Sequence, residues 1–334
     1  MKTYFPENYT STMNLYETQE AISFVKETFQ RNLSHALHLK RVSAPLFVLQ
    51  STGLNDDLNG IEEAVSFNLA DSNKKCVIVH SLAKWKRMAL HDYDFYVGNG
   101  LYTDMNAIRK DEQLDNLHSI YVDQWDWEKV IERKDRNLDF LKATVRKIHA
   151  AILLTQDELK MKYPVLTGEL GRELHFVTSE ELLQRYPDLS PKERENAILK
   201  ELKSVFIIGI GKKLSNGESH DGRAPDYDDW DLNGDLMYYN EVLDCAFEVS
   251  SMGIRVDEVS LDKQLKEKNC EDRKKFPYHQ MILNNELPLT IGGGIGQSRL
   301  CMLLMGKAHI GEVQSSIWDE ETLRLAKERN VVIL

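Results

Sequence analysis

A chain of 334 residues, 42% of them hydrophobic, can bury a sizeable core, and its net charge of −11 with a pI near 5.5 argues against a protein built to hold nucleic acid, because phosphate binding requires basic surface. Its four cysteines, Cys76, Cys245, Cys270 and Cys301, are spaced too widely for a CxxC metal or redox motif and suit a reducing compartment. No apolar run reaches bilayer-spanning length and the opening MKTYFPENYT lacks the apolar stretch of a signal peptide, so a cytoplasmic protein without membrane contact is expected.

No repeat, low-complexity tract or Pro/Gly/Ser-rich linker interrupts the chain, which predicts a single domain over residues 1–334. Apolar residues recur at helical spacing at Ile22, Val25, Phe29, Leu33 and Leu37, and the strand-like VSAPLFVLQ follows. A helix is therefore expected to lead into a strand carrying Pro45. Further along, KCVIVHS and LHSIYVDQWDWE read as strands, rich in β-branched and aromatic residues. A long helix is expected through Leu138, Leu141, Val145, Ile148 and Leu159, and two more begin at cap signals, Thr178 with Glu181 and Ser190 with Pro191 and Glu193. Strand signals return at SVFIIGIG, DLMYY and CAFEVSSMGIRV. Several strands follow one another without a regular helical crossover, which predicts an α+β fold with a mixed or antiparallel sheet flanked by helices, not a doubly wound parallel sheet.

Three stretches carry chemistry. In LHSIYVDQWDWEK, strand alternation points Val122, Gln124, Asp126 and Glu128 one way and Tyr121, Asp123, Trp125 and Trp127 the other. Three polar side chains in a row opposite two tryptophans suggest a pocket floor, with Arg109, Asp111 and Glu112 just upstream in a loop able to fold over it. The second stretch, Asp226 to Arg255, includes Asp228, Asp229 and Ser251. Asp226 and Asp229 read equally well as solvated loop residues. Glu248 stands inside an apolar strand, where a carboxylate needs a cation such as Mg²⁺ or an arginine. The third is TIGGGIGQSRLCMLL, residues 290–304. It fails the dinucleotide pattern GxGxxG, since Gln297 or Arg299 stands at the third position, and Gly306-Lys307-Ala308 fails the phosphate-loop pattern. The glycines read either as a tight turn before a helix from Gln297 to Met305, or as backbone brought close to a flat base or a phosphate, with Arg299 offering its guanidinium to that phosphate.

Taken in order, the helix with its strand-borne proline, Arg109 followed by the VDQWDWE strand, and GGGIGQSRL resemble motifs 1, 2 and 3 of the class II aminoacyl-tRNA synthetase catalytic core, with the aspartyl and asparaginyl enzymes nearest. The blocks HSLAKWKR (80–87), GLYTDMNAIR (100–109), YVDQWDWE (121–128), RAPDYDDW (223–230), SSMGIRVD (250–257) and IGGGIGQSRL (291–300) are similar to asparagine synthetase A, the ammonia-dependent aspartate-ammonia ligase family, and the similarity covers essentially the whole chain. The resemblance implies a class II synthetase-like core that makes L-asparagine from L-aspartate, ATP and ammonia through β-aspartyl-AMP. It implies that Arg109 holds the α-phosphate and Arg299 the γ-phosphate end. It places Lys86, Gln124, Asp126, Asp228, Ser251, Arg255 and Gly292 around aspartate, and Ser81, Glu112, Val122, Leu236, Gly293 and Gly294 around the nucleotide. Asp235 and Glu248 are the implied Mg²⁺ ligands. Asp56, in STGLNDDLNG, is the implied base toward ammonia, though it also reads as a turn aspartate before Gly60. A homodimer through residues 23–49 completes the expectation.

A full synthetase needs an anticodon-reading domain, and none is expected because the first motif begins within the first few dozen residues. A glutamine-dependent enzyme needs an activated cysteine nucleophile at the mature N-terminus or on a tight strand-to-helix turn. Residue 2 is Lys2; Cys76, Cys245 and Cys301 read as packing residues and Cys270 as exposed. Free ammonia is the expected nitrogen donor.

Overall fold

The computed structural model describes residues 2–55 and 63–334. Its first long element, α1 (Leu15–Leu37), starts at a capping box between Asn14 and Glu17 and ends where His38 turns left-handed at φ 59°. Val25, Phe29, Leu33 and Leu37 form its buried stripe, as their spacing predicts. Then comes β1 (Leu39–Arg41), and Pro45 lies beyond its end, before β2 (Phe47–Leu49). This corrects the expected strand through VSAPLFVLQ: Pro45 has no N–H to give to a ladder, and it stands between strands of two different sheets.

With β3 (Ser66–Asn68) and β4 (Lys75–Ile78), β2 forms a small antiparallel sheet. The elements that follow are α2 (Ala83–Asp92), β5 (Gly100–Ile108), β6 (Tyr121–Val130), α3 (Leu138–Lys162), β7 (His175–Thr178), α4 (Ser179–Arg185), α5 (Pro191–Leu202), β8 (Ser204–Ile208), β9 (Asp228–Asn240) and β10 (Cys245–Arg255). The last are α6 (Glu258–Glu267), α7 (Pro277–Leu283), β11 (Thr290–Gly296), α8 (Gln297–Leu304) and α9 (Glu320–Glu328). The large sheet runs β1-β5-β6-β11-β10-β9-β8-β7. Its two edge pairs, β1 with β5 and β7 with β8, are parallel, and every pair between them is antiparallel. This is the mixed, mostly antiparallel sheet of an α+β fold.

One face of the sheet carries Trp125, Trp127, Ile291 and Ile295 into the main core, where α1 and α3 cover them and the rings of Phe29 and Trp125 sit 4.8 Å apart. On the other face, α2 packs on β5, β6 and β11, while α5 packs on β8, β9 and β10. Between these two helices the described residues leave the middle strands open, and that gap is the cleft.

Candidate active site

The glycine-rich segment is a central strand, not a turn. Gly292, Gly294 and Gly296 have no positive φ, so backbone freedom does not explain them. Space does. By register Gly292 lies opposite Glu128 and Gly294 opposite Asp126. A Cβ at 292 would stand 1.9 Å from Glu128 Oε2, and one at 294 would stand 2.4 Å from Gln124 Oε1 and 2.8 Å from Asp126 Oδ1. The missing side chains let the polar groups of β6 lie across β11.

What lies across it is the inner end of the cleft. Arg255, 2% exposed, donates from Nε to both Glu128 oxygens at 2.9 and 3.0 Å and from Nη2 at 2.7 Å, while Nη1 donates to Asp228. Thr290 Oγ1 adds a bond to Glu128 at 2.7 Å. Burial works against the Glu128 charge, but Arg255 outweighs it and holds the carboxyl below its usual range. Beside this pair, Lys86 Nζ lies 3.2 Å from Asp126 Oδ2 and donates to the Gly293 carbonyl at 2.9 Å. Burial pulls the Lys86 ammonium below its ordinary pKa despite Asp126. Asp126 Oδ1 is buried and has no hydrogen-bond partner among the described residues, an unsatisfied acceptor just beneath the cleft wall.

The outer end is looser. Arg109 follows β5 directly, and its Nε is buried without a hydrogen-bond partner among the described residues. Arg299, in the first turn of α8, donates to the Glu248 carbonyl at 3.0 Å and stands 3.7 Å from the Glu248 carboxylate, whose side chain is 39% exposed. Arg299 is thus one cation beside Glu248, and a β-bulge between Glu248 and Ser250 interrupts the strand next to it where the carboxylate meets the cleft. Ser81, Glu112, Val122 and Gln124 line the same cleft, whose volume is about 380 Å³, with Gly293 and Gly294 in its floor. Asp228 and Ser251 also line it.

The family model described as AsnA, aspartate-ammonia ligase, matches residues 16–330. The chain belongs to the aspartate-ammonia ligase family. An aspartate-ammonia ligase of Clostridium perfringens (strain SM101 / Type A) is 58% identical over 334 residues, covering 100% of this chain and 99% of its own. That of Clostridium tetani (strain Massachusetts / E88) is 58% identical over 330 residues, covering 98% and 97%. Among solved structures, the asparaginyl-tRNA synthetase from Pyrococcus horikoshii complexed with asparaginyl-adenylate is similar with a TM-score of 0.64 at 16% identity, over 89% of this chain and 68% of its own. An aspartyl-tRNA synthetase from Entamoeba histolytica gives 0.59 at 16% identity, over 91% and 58%. The shared fold is the class II synthetase core.

Within this aspartate-ammonia ligase cleft, not every expected residue lines the wall. Asp126 and Gly292 lie beneath it. Asp56 falls outside the described residues. The Leu236 side chain is fully buried in the main core, a correction to its expected place beside a nucleotide, because strand alternation turns it away from the face that Asp235 occupies. Asp235 accepts from Arg223 Nη2 at 2.5 Å, and burial pushes its carboxyl up with help from Glu248 and Asp221 against the pull of Arg223. Among the described residues no three His, Cys, Asp or Glu side chains gather as a metal site. Asp226 and Asp229 are not solvated: Asp226, 0% exposed, takes Lys84 at 2.9 Å, Arg273 at 3.0 Å and His279 at 2.9 Å, and Asp229 takes Arg136 at 2.8 Å. Cys76, Cys245 and Cys301 are buried as expected; Cys270 is half-buried against the cluster of Leu265 and Tyr278, not exposed.

Glu128 was expected in the pocket floor without a named partner, and Arg223 was given no role. The signal for Glu128 was a carboxylate following two tryptophans that face a core. Arg223, which donates to Ser251 and Asp235, opens the segment RAPDYDDW, and spacing alone does not say which carboxylate it meets.

Proposed function

We propose that this chain makes L-asparagine from L-aspartate, ammonia and ATP, with β-aspartyl-AMP as intermediate and AMP and diphosphate as products. The observation that carries the reading is the inner end of the cleft, where the cations Lys86 and Arg255 stand with the spare acceptor of Asp126. That set suits a dicarboxylate bearing one ammonium. Membership of the aspartate-ammonia ligase family supports it. Lys86 and Arg255 take the carboxylates of aspartate, and Gln124, Asp126, Asp228, Ser251 and Gly292 shape the space around it. A β-carboxylate oxygen then attacks the α-phosphorus of ATP and diphosphate leaves. Arg109 at the α-phosphate and Arg299 toward the γ-phosphate neutralise the charge that develops there, the main form of help this chemistry needs. Ser81, Glu112, Val122, Gly293 and Gly294 bound the nucleotide. Ammonia attacks the acyl carbon of the adenylate, the bond to the AMP oxygen breaks, and Asp56 accepts the proton released from nitrogen.

Mg²⁺ fits this reading through Glu248, whose carboxylate reaches the cleft, with Asp235 as a second ligand if it exchanges Arg223 for the ion. Two carboxylates and phosphate oxygens suit Mg²⁺, which neutralises phosphate charge when bound. The protein is further read as a cytoplasmic homodimer through residues 23–49, and as one domain with no nucleic-acid partner. Four free thiols and a main core uniting Phe5 with Val331 support parts of this. No helix of the described residues is long and apolar enough to cross a membrane.

The test is diphosphate release from ATP measured across all amino acids, with and without ammonium. Aspartate alone should drive release, and asparagine should form only with ammonium, faster at higher pH as NH₃ replaces NH₄⁺. Release driven by a different amino acid, or asparagine formed from glutamine in ammonia-free buffer, refutes the reading. Light scattering at micromolar concentration checks the dimer.

A further inference from the structure

We propose that Asp123 is a positioning residue for Arg299, and that Lys26 of α1 helps to hold it. Helix α8 starts at Gly296, which has no side chain to cap it, so the first N–H groups of α8 depend on another part of the molecule. Asp123, 7% exposed on β6, reaches them. Its Oδ1 accepts from the Ser298 N–H at 3.0 Å and from Gln314 Nε2 at 3.3 Å. Its Oδ2 accepts from Ser298 Oγ at 2.9 Å and from Lys26 Nζ at 3.0 Å. Gln314 Nε2 also reaches Ser298 Oγ at 3.0 Å and closes the network.

Two features make this a positioning device and not a ligand contact. Asp123 borders the cleft, but each of its oxygens already holds two donors, so it acts through its neighbours. The residue it fixes, Ser298, directly precedes Arg299, whose own partners are a carbonyl at 3.0 Å and a carboxylate at 3.7 Å. The direction of the Arg299 guanidinium is therefore set mainly by where α8 begins. A carboxylate at that end also matches the positive pole of the helix. Lys26 is the one donor in the network that comes from α1, and it keeps its charge because the attraction of Asp123 outweighs its partial burial.

The inference rests on the reading that Arg299 meets ATP, and the experiment separates the two. Steady-state kinetics for wild type, Asp123→Asn, Lys26→Met, Arg299→Ala and the Asp123→Asn/Arg299→Ala pair give KM for ATP and for aspartate separately. Asp123→Asn should raise KM for ATP about tenfold while KM for aspartate stays within about twofold, since misplacing a charge donor by a fraction of an ångström has that order of cost. The double variant should be no worse than Arg299→Ala alone, because both changes remove one interaction. Lys26→Met should show the same split at smaller size and remains informative if Asp123→Asn does not fold. Equal rises in both KM values, or losses that add fully in the double variant, would mean a general structural role and overturn the inference. Wild-type ATP kinetics in Arg299→Ala would overturn the functional reading of Arg299 and the inference with it.

Discussion

At the inner end of the cleft Arg255 is 2% exposed and shared between two carboxylates, while at the outer end Arg299 is 23% exposed and its one carboxylate lies 3.7 Å away. Lys86 and Arg109 repeat the contrast, one paired with Asp126 and the other with a buried Nε that has no hydrogen-bond partner among the described residues. On the proposed reading, a small substrate of fixed shape is met at the inner end by charges already oriented by the protein, and the triphosphate is met at the outer end. A triphosphate brings its own charge, and cations left loosely paired have less to give up when it arrives. The difference also divides stability from activity: at the inner end the two are tied together, at the outer end they separate.

The strongest way to break this comparison is Arg255→Met. It leaves Glu128 and Asp228 buried without their cation, and removing one partner of a buried pair costs about 3–5 kcal/mol. Chemical denaturation should show a loss of that order together with loss of turnover. An unchanged midpoint would mean that the inner pairs contribute nothing to folding.

Arg109→Ala and Arg299→Ala should behave in the opposite sense. Stability should stay within about 0.5 kcal/mol, whereas kcat/KM should fall by the equivalent of about 3 kcal/mol or more. Arg299→Lys should also be impaired, since a point charge does not reproduce the planar fork. Melting curves recorded beside the kinetics decide the matter, and near-normal turnover in either alanine variant contradicts the assignment.

A smaller effect sharpens the inner end. Gly292→Ala places a Cβ 1.9 Å from Glu128 Oε2 and 2.7 Å from Arg255 Nη2, and overpacking of this kind costs about 1–3 kcal/mol. KM for aspartate should rise more than KM for ATP; an equal rise in both would show that the two ends are not independent.

The effect with least bearing on the cleft lies outside it. His309 is 0% exposed, its Nδ1 accepts from the Gly311 N–H at 3.0 Å, and burial lowers its pKa from 6.5 to about 4. The folded chain holds it neutral where the unfolded chain takes up a proton. This contribution is therefore complete above pH 6.5 and is lost as pH falls toward about 4. His309→Asn, which keeps a capping acceptor, should flatten the fall in stability across that window while leaving the kinetic contrast between Arg255 and Arg299 unchanged.

Several elements were legible before any coordinates. The α1 stripe of Val25, Phe29, Leu33 and Leu37 is a short-range pattern and is present; the alternation of β6 separates Trp125 and Trp127 in the core from Asp126 and Glu128, but Tyr121 and Asp123, expected to point away, border the cleft as well. The cap signals at Thr178 and Ser190 start helices where expected. Other features were hidden for physical reasons. Helix α2 escaped notice because its buried face is built from Lys84, Lys86 and Arg87 as well as Ala83, Ala89 and Leu90, so its hydrophobic period is broken by charge. Its cations are stabilised by partners on other elements: Asp226 for Lys84, Asp126 for Lys86, and the carbonyls of Val256 and Pro288 for Arg87. Gly292 and Gly294 were legible as close-approach sites, but what approaches them was not, since the groups that a Cβ would strike belong to β6 and β10.

The amino-acid sequence by itself determined periodicity, capping and the blocks that mark the family, because each depends on residues a few positions apart. Tertiary structure decided the partners. Arg255 meets Glu128 across 127 positions of chain, and Ser298 meets Asp123 across 175. A charge carries no sequence-local label for its counter-charge: the pairing follows from strand order and register, which arise only when β6, β11 and β10 are laid side by side over one core.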